Sequence, residues 1–169
     1  MPDSTPPVRI LFVCMGNICR SPTAHAVFLR RLEQAGIRDR VEVDSAGTHG
    51  YHVGSAPDSR AIQAAAGRGY DLTALRARRV EAADLVTFDY VIAMDRANLD
   101  ILRGLAGEST RAELALLLDY VPGHEGADVP DPYYGARNGF DEVLDLVEAG
   151  ADALMARLHE RHGLQGTSV

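Results

Sequence analysis

Cysteine is scarce in this 169-residue chain: Cys14 and Cys19, five positions apart, and no other. Two cysteines at that spacing exclude a disulfide framework. They also leave zinc short of ligands, and the six histidines show no spacing that would supply the rest. His159 and His162 read as a solvated helix face, so neither a metal site nor a cofactor is expected. Long apolar runs are missing too. None approaches the roughly 20 residues of a membrane span, and no membrane association is expected. The segment Met1 to Pro7 holds three prolines and no basic stretch. It predicts a frayed leader instead of a signal peptide, and with it a cytoplasmic address. Positive charge is in deficit, with a formal net charge of −7, which argues against nucleic acid as a partner. A phosphorylated substrate is not excluded, because one phosphate needs a local cradle and not a positive molecule.

What remains is the make-up of one globular domain, 46% hydrophobic and 24% charged. The domain is expected over 8–162, with short flexible termini at 1–7 and 163–169. Val8 to Cys14 is a short β-branched run bounded by prolines and Gly16, the pattern of a fully buried strand. A helix opens at about Arg20, carries Ala24, Val27, Phe28, Leu32 and Ala35 at helical spacing, and closes at Gly36. Val41 to Gly47 predicts a second strand, Thr48 to Ser55 a surface loop, and Pro57 to Gly67 a helix. Tyr90 to Met94 predicts a third buried strand, Asp95 to Leu105 a helix, and Leu114 to Leu118 a fourth apolar run. Val121 to Gly139, rich in proline and glycine, predicts a long functional loop. Phe140 to His162 predicts a long amphipathic helix. Strands alternating with helices indicate an α/β fold on a mainly parallel sheet, which binds ligands at the carboxyl ends of its strands. Cys14 and Asp95 both fall on that edge.

The chemistry concentrates between the first strand and the first helix. Met15, Gly16, Asn17, Ile18 and Cys19 link Cys14 to Arg20. A loop in that setting wraps its N–H groups into a cup on a helix N-terminus, which holds a phosphate dianion. Gly16 is expected to supply an unusual backbone angle, and Asn17 either a left-handed angle or a tie across the loop. Arg20 offers a planar fork for two phosphate oxygens. The same field favours the thiolate of a cysteine set in the cup, and the Ser21 hydroxyl can donate to it. Cys14 then reads as a nucleophile aimed at phosphorus. Asp131, between Pro130 and Pro132 and beside Tyr133 and Tyr134, is equally a shielded acid or a turn aspartate when read from these residues alone.

Val13-Cys14-Met15-Gly16-Asn17-Ile18-Cys19-Arg20-Ser21-Pro22 resembles the signature loop of the low-molecular-weight protein tyrosine phosphatases. The resemblance continues through Ser45 to Thr48, Val53-Gly54 with Asp58 and Arg60-Ala61, and Phe88 to Asp95 with Asn98-Leu99. It closes on Val129 to Gly135 followed by Phe140. It implies a three-layer fold, with a four-stranded parallel sheet flanked by helices. It implies a phosphotyrosine phosphatase working through a phosphocysteine on Cys14, with Arg20 and the loop amides on the phosphate and Asp131 as general acid and base. Its substrates would be phosphotyrosine-containing proteins, a bacterial tyrosine kinase being a candidate, and the enzyme a monomer or weak dimer. Tyr51, Tyr133 and Tyr134 would wall a slot for a flat aryl group, with Met15 and Ile18 as apolar loop surface. His52 has a place at the rim or, the favoured reading, that of an ordinary surface histidine. Where many relatives carry a histidine this chain has Leu75, which leaves open how Asn17 and Ser45 are secured.

Two related chemistries compete. Arsenate reduction relays electrons through further cysteines, and none follows Cys19. Phosphoarginine hydrolysis goes with a small polar residue in the place of Ile18, whose apolar side chain favours phosphotyrosine. Cys19 either packs as a small apolar residue or traps an oxidised Cys14 as a disulfide, guarding it from irreversible oxidation.

Overall fold

The run Val8–Cys14 forms strand β1, and its alternation shows why it is apolar at every position after Arg9. Ile10, Phe12 and Cys14 belong to one buried cluster, Leu11 and Val13 to a second on the opposite face. A strand covered on both sides needs no polar alternation. The structure is a computed structural model and describes residues 6–134 and 139–164, with the backbone alone at Tyr134. Strands β2 (Val41–Gly47), β3 (Tyr90–Ala93) and β4 (Glu113–Leu116) complete a parallel sheet in the order β2-β1-β3-β4. The expected four-stranded α/β fold is therefore present.

Helices α1 (Arg20–Ala35), α2 (Ser59–Ala66) and α5 (Gly139–His162) bury apolar residues in the first cluster. Helices α3 (Asp84–Thr87) and α4 (Arg96–Leu105) contribute Leu85, Leu99 and Leu102 to the second. Each fully buried leucine of this kind stabilises the fold by about 1.5–3 kcal/mol. Three layers result, with the sheet in the middle.

The differences from the sequence reading have local causes. Helix α2 starts at Ser59 because the Asp58 side chain caps it, accepting from the Arg60 N–H at 2.8 Å. The fourth apolar run divides into β4 and a 3₁₀ turn over Leu117–Tyr120, where Asp119 accepts from the Leu116 N–H at 3.0 Å. The long loop is fastened to the sheet edge by the Val129 N–H, which donates to the Met94 carbonyl at 2.8 Å. Leu164, just past α5, has its side chain buried in the first cluster. Among the described residues no helix is long and apolar enough to cross a membrane.

Candidate active site

The parallel topology gathers three strand ends. Cys14 ends β1 and pairs with Gly47 at the end of β2, while Asp95, just past β3, caps α4. Met15 to Cys19 cross from β1 to α1 over this edge. Cys19 occupies the helix N-cap and makes no side-chain cap, so the N–H groups of the first turn are left for a ligand.

Backbone strain sits at Asn17, with φ at 58°, and not at Gly16 as expected. Asparagine tolerates this left-handed angle. Gly16 is needed for room instead: a Cβ there would lie 3.0 Å from His52 Cδ2. Gly47 is more tightly constrained, since a Cβ would fall 2.7 Å from the Met15 carbonyl oxygen. The end of β2 can therefore lie directly against the loop, where the Thr48 N–H donates to the Cys14 carbonyl at 2.9 Å. No signal in a single sequence marks that close approach.

A chain of polar contacts fixes the nucleophile candidate from behind. The Arg78 N–H donates to Asn17 Oδ1 at 3.0 Å, and Asn17 Nδ2 donates to Ser21 Oγ at 2.8 Å. Ser21 Oγ lies 3.0 Å from Cys14 Sγ and 3.4 Å from the Ala46 carbonyl. Having accepted from Asn17, the hydroxyl has its proton within reach of both the sulfur and the Ala46 carbonyl. Asn17 thus has both of its expected roles, but its side chain and that of Ser21 are buried behind the loop and do not line the cleft. Leu75 is partly buried against the core, and the supports lie elsewhere. The Arg78 backbone holds Asn17, and His25 Nδ1 is 3.1 Å from Ser45 Oγ. Burial, with Arg38 nearby and Asp44 opposing, holds the His25 imidazole below its ordinary titration range.

Arg20 is 1% exposed and reaches across the sheet edge. Nη1 donates to Asp95 Oδ2 at 2.6 Å and to the Val129 carbonyl at 2.9 Å, and Nη2 is 3.5 Å from Asp131 Oδ2. Burial opposes its charge, but Cys14, Asp95 and Asp131 outweigh burial and raise its pKa above the ordinary arginine value. Asp131 is half-buried, and its Oδ1 accepts from the Tyr133 N–H at 3.0 Å. Cys14 and Asp131, 117 positions apart in sequence, are brought to one guanidinium.

Cys14 and Arg20, with Met15, Gly16, Ile18 and Cys19, form the floor of a small cleft of about 80 Å³ that opens to solvent. Tyr51, His52, Asp131 and Tyr133 form its walls. Tyr51 stacks on His49 with ring centroids 5.2 Å apart. His52, expected on the open surface, is half-buried and stands 6.4 Å from the Tyr133 ring. The Tyr134 side chain lies outside the described residues. Burial, with Asp58, Cys14 and Asp131 adding to it, pushes the Cys19 thiol up, so it stays protonated at neutral pH. Among the described residues no group of three or more histidine, cysteine or acidic side chains could hold a metal ion.

One brace was legible only as part of a motif. Arg60 makes a two-pronged pair with Asp58, at 3.0 and 2.9 Å, and its guanidinium sits over both the Tyr133 and Phe140 rings. The Asp58 N–H donates to the Ile18 carbonyl at 2.8 Å. The phosphate loop and the segment carrying Asp131 are thereby tied to the same helix start.

Known proteins share this arrangement. The family described as low molecular weight phosphotyrosine protein phosphatase matches residues 9–164. A low molecular weight protein-tyrosine-phosphatase of Streptomyces coelicolor is 46% identical, covering 90% of this chain and 94% of the relative. The Bacillus subtilis protein YfkJ, named likewise, is 40% identical over 93% of this chain and 99% of its own. Its crystal structure superposes with a TM-score of 0.87, covering 94% of this chain and 98% of that one. A Drosophila arginine phosphatase superposes with a TM-score of 0.81 at 30% identity, covering 88% of this chain and 96% of its own. With its family match spanning nearly the whole chain and its phosphate loop at Cys14 to Arg20, this protein belongs to the low molecular weight protein tyrosine phosphatases.

Proposed function

We propose that this phosphatase hydrolyses phosphotyrosine in proteins, with Cys14 as nucleophile, Arg20 as phosphate ligand and Asp131 as general acid and base. The observation that carries the reading is the convergence of Arg20 and Asp131 over Cys14 at the bottom of an aromatic-walled cleft. Cys14 Sγ attacks phosphorus, the S–P bond forms and the P–O bond to the tyrosyl oxygen breaks. Asp131 gives its proton to that oxygen as it leaves. Water then attacks the phosphocysteine, Asp131 takes the proton back, and inorganic phosphate departs from a free thiolate. Arg20 and the loop N–H groups hold the equatorial oxygens in both steps.

The substitution Asp131→Asn tests the acid. A general acid supplies about 10²–10⁴-fold, and only where the leaving group needs a proton. Asp131→Asn is therefore expected to slow phenyl phosphate by about a hundredfold or more, and 4-nitrophenyl phosphate by much less. Equal losses on both would remove Asp131 from the role.

Phosphoarginine is the second reading, and the resemblance to an arginine phosphatase structure motivates it. The apolar Ile18 on the cleft floor and the Tyr51 and Tyr133 rings favour an aryl group over a guanidinium. Phosphotyrosine and phosphoarginine peptides of matched sequence separate the two, and faster release of phosphate from phosphoarginine would reverse the assignment. In this reading the partners are phosphotyrosine-containing proteins, a bacterial tyrosine kinase being one candidate, met in the cytoplasm by a monomer or weak dimer. Cys19 is the redox guard of the same loop, a buried protonated thiol that an oxidised Cys14 can condense with. Cys19→Ser is expected to lose activity in peroxide that added thiol no longer restores. Equal recovery of the variant and the parent would end that role.

A further inference from the structure

Of the six large apolar side chains exposed among the described residues, two line this one cleft, Tyr51 at 75% and Tyr133 at 40% exposure, and a third, Val53 at 60%, follows Tyr51 by two positions on the same turn. An aryl phosphate alone has no use for Val53, which projects beyond the walls. An apolar rim of this kind fits a polypeptide that carries the phosphorylated side chain.

Beside that rim is a cation of a different standing from its neighbours. Arg78 is matched by Asp44 and Asp84, at 3.0 Å each, and Arg60 by Asp58 at 2.9 Å. Arg76 donates to the Thr73 and Leu75 carbonyls, which leaves its charge uncompensated. Arg79 is exposed, and among the described residues its guanidinium has neither a hydrogen bond nor an ion pair. Its position is fixed all the same. Arg79 is bridged in parallel to Gly47, and Gly47 is the register partner of Cys14. Two strand spacings therefore separate Arg79 from Cys14, ~10 Å from Cα to Cα. The Gly47 N–H donates to the Arg78 carbonyl and the Val80 N–H to the Gly47 carbonyl, both at 2.8 Å. A Cβ built on Gly50 would lie 3.7 Å from Arg79 Cδ and 3.8 Å from Val53 Cγ2, so both side chains flank the turn that carries Tyr51.

We propose that the Tyr51–Val53 turn and Arg79 form a docking rim for the substrate polypeptide, in which Arg79 pairs with an acidic residue two or three positions from the phosphotyrosine. The inference rests on the phosphotyrosine reading and adds the flanking chemistry of its substrate. In an extended peptide, residues two or three positions away lie ~7–10 Å along the chain, which matches the offset of Arg79 from the nucleophile. In a protein of net charge −7 an acidic peptide meets general repulsion, so an unmatched arginine beside the mouth gives it a specific place to land.

The test compares two phosphotyrosine peptides of one sequence, one with aspartates flanking the phosphotyrosine at two and three positions and one with asparagines there. The wild type is expected to favour the acidic peptide about threefold in kcat/KM at low ionic strength, the scale of an exposed pair. The preference should shrink in 0.5 M salt, as screening requires. Arg79→Gln should bring the ratio to one while leaving 4-nitrophenyl phosphate hydrolysis unchanged. Val53→Ser should lower both peptides alike and spare the small substrate. Equal wild-type rates on the two peptides, or a preference that persists in Arg79→Gln, would overturn the rim and leave the phosphatase reading standing. Failure on both peptides with 4-nitrophenyl phosphate still hydrolysed also overturns the rim, since no polypeptide then docks. Failure on all three substrates strikes the phosphotyrosine reading itself, and the rim falls with it.

Discussion

Cys14→Ser is expected to lower hydrolysis of 4-nitrophenyl phosphate by at least about a thousandfold, the scale on which enzymes lose a covalent nucleophile. Oxygen replaces sulfur in a cup arranged around a sulfur atom, with Ser21 Oγ 3.0 Å away. A hydroxyl does not ionise near neutral pH, so the phosphate would sit over an alcohol that cannot attack it at a useful rate. The binding apparatus should survive, because Arg20 keeps its bonds to Asp95 and Val129 and the Asn17 tie does not involve the sulfur. The variant is therefore expected to be stabilised by inorganic phosphate in a thermal melt much as the parent is, by ligand linkage. The pair of measurements separates a lost nucleophile from a lost fold. The parent's rate should also be indifferent to a chelator. Turnover that survives Cys14→Ser, or that a chelator abolishes, would falsify the phosphocysteine route.

The features legible in the sequence are those made by neighbours in the chain. The run Val8–Cys14, the loop after it and the helix closing at Gly36 are set by local pattern, and the structure has them at the expected residues. Asp95 was legible as a residue on the binding edge, and it proves to be the carboxylate against Arg20. Contacts between distant elements were not legible. Nothing local says that a Cβ on Gly47 would fall 2.7 Å from a carbonyl of the phosphate loop, or that Val129 would offer Arg20 its carbonyl. The support for Ser45 did leave a trace. His25 follows Ser21 by four positions on α1, so the two share one helix face toward the end of β2. A histidine at that spacing is a signal that local reading could have used. Gly16 was misjudged for a related reason. Its need for space comes from His52 on another loop, whereas a positive φ is all that a single residue can advertise.

Arg20→Lys is expected to lower kcat/KM by about 10²–10³-fold while the protein still folds. That is the usual loss when one donor to the charge of a transition state is removed. The guanidinium is a fork that already serves Asp95 Oδ2 at 2.6 Å and the Val129 carbonyl at 2.9 Å while Nη2 faces Asp131. A lysine ammonium carries the same charge at one point. It can stay with Asp95 or turn to a phosphate, and it cannot do both in the planar geometry that two equatorial oxygens require. Arg20→Met should behave differently. Removing the charge leaves the partly buried Asp95 and Asp131 carboxylates without the cation they share, so the melting temperature should fall as well. The lysine variant thus separates geometry from charge. Because the same guanidinium faces Asp131, the lysine substitution should also disturb proton delivery. Its effect on phenyl phosphate is then expected to be smaller in an Asp131→Asn background than alone, a non-additivity that a double-mutant cycle reads directly. An Arg20→Lys enzyme within about threefold of the parent would mean that charge alone suffices, and the fork would lose its place in the mechanism.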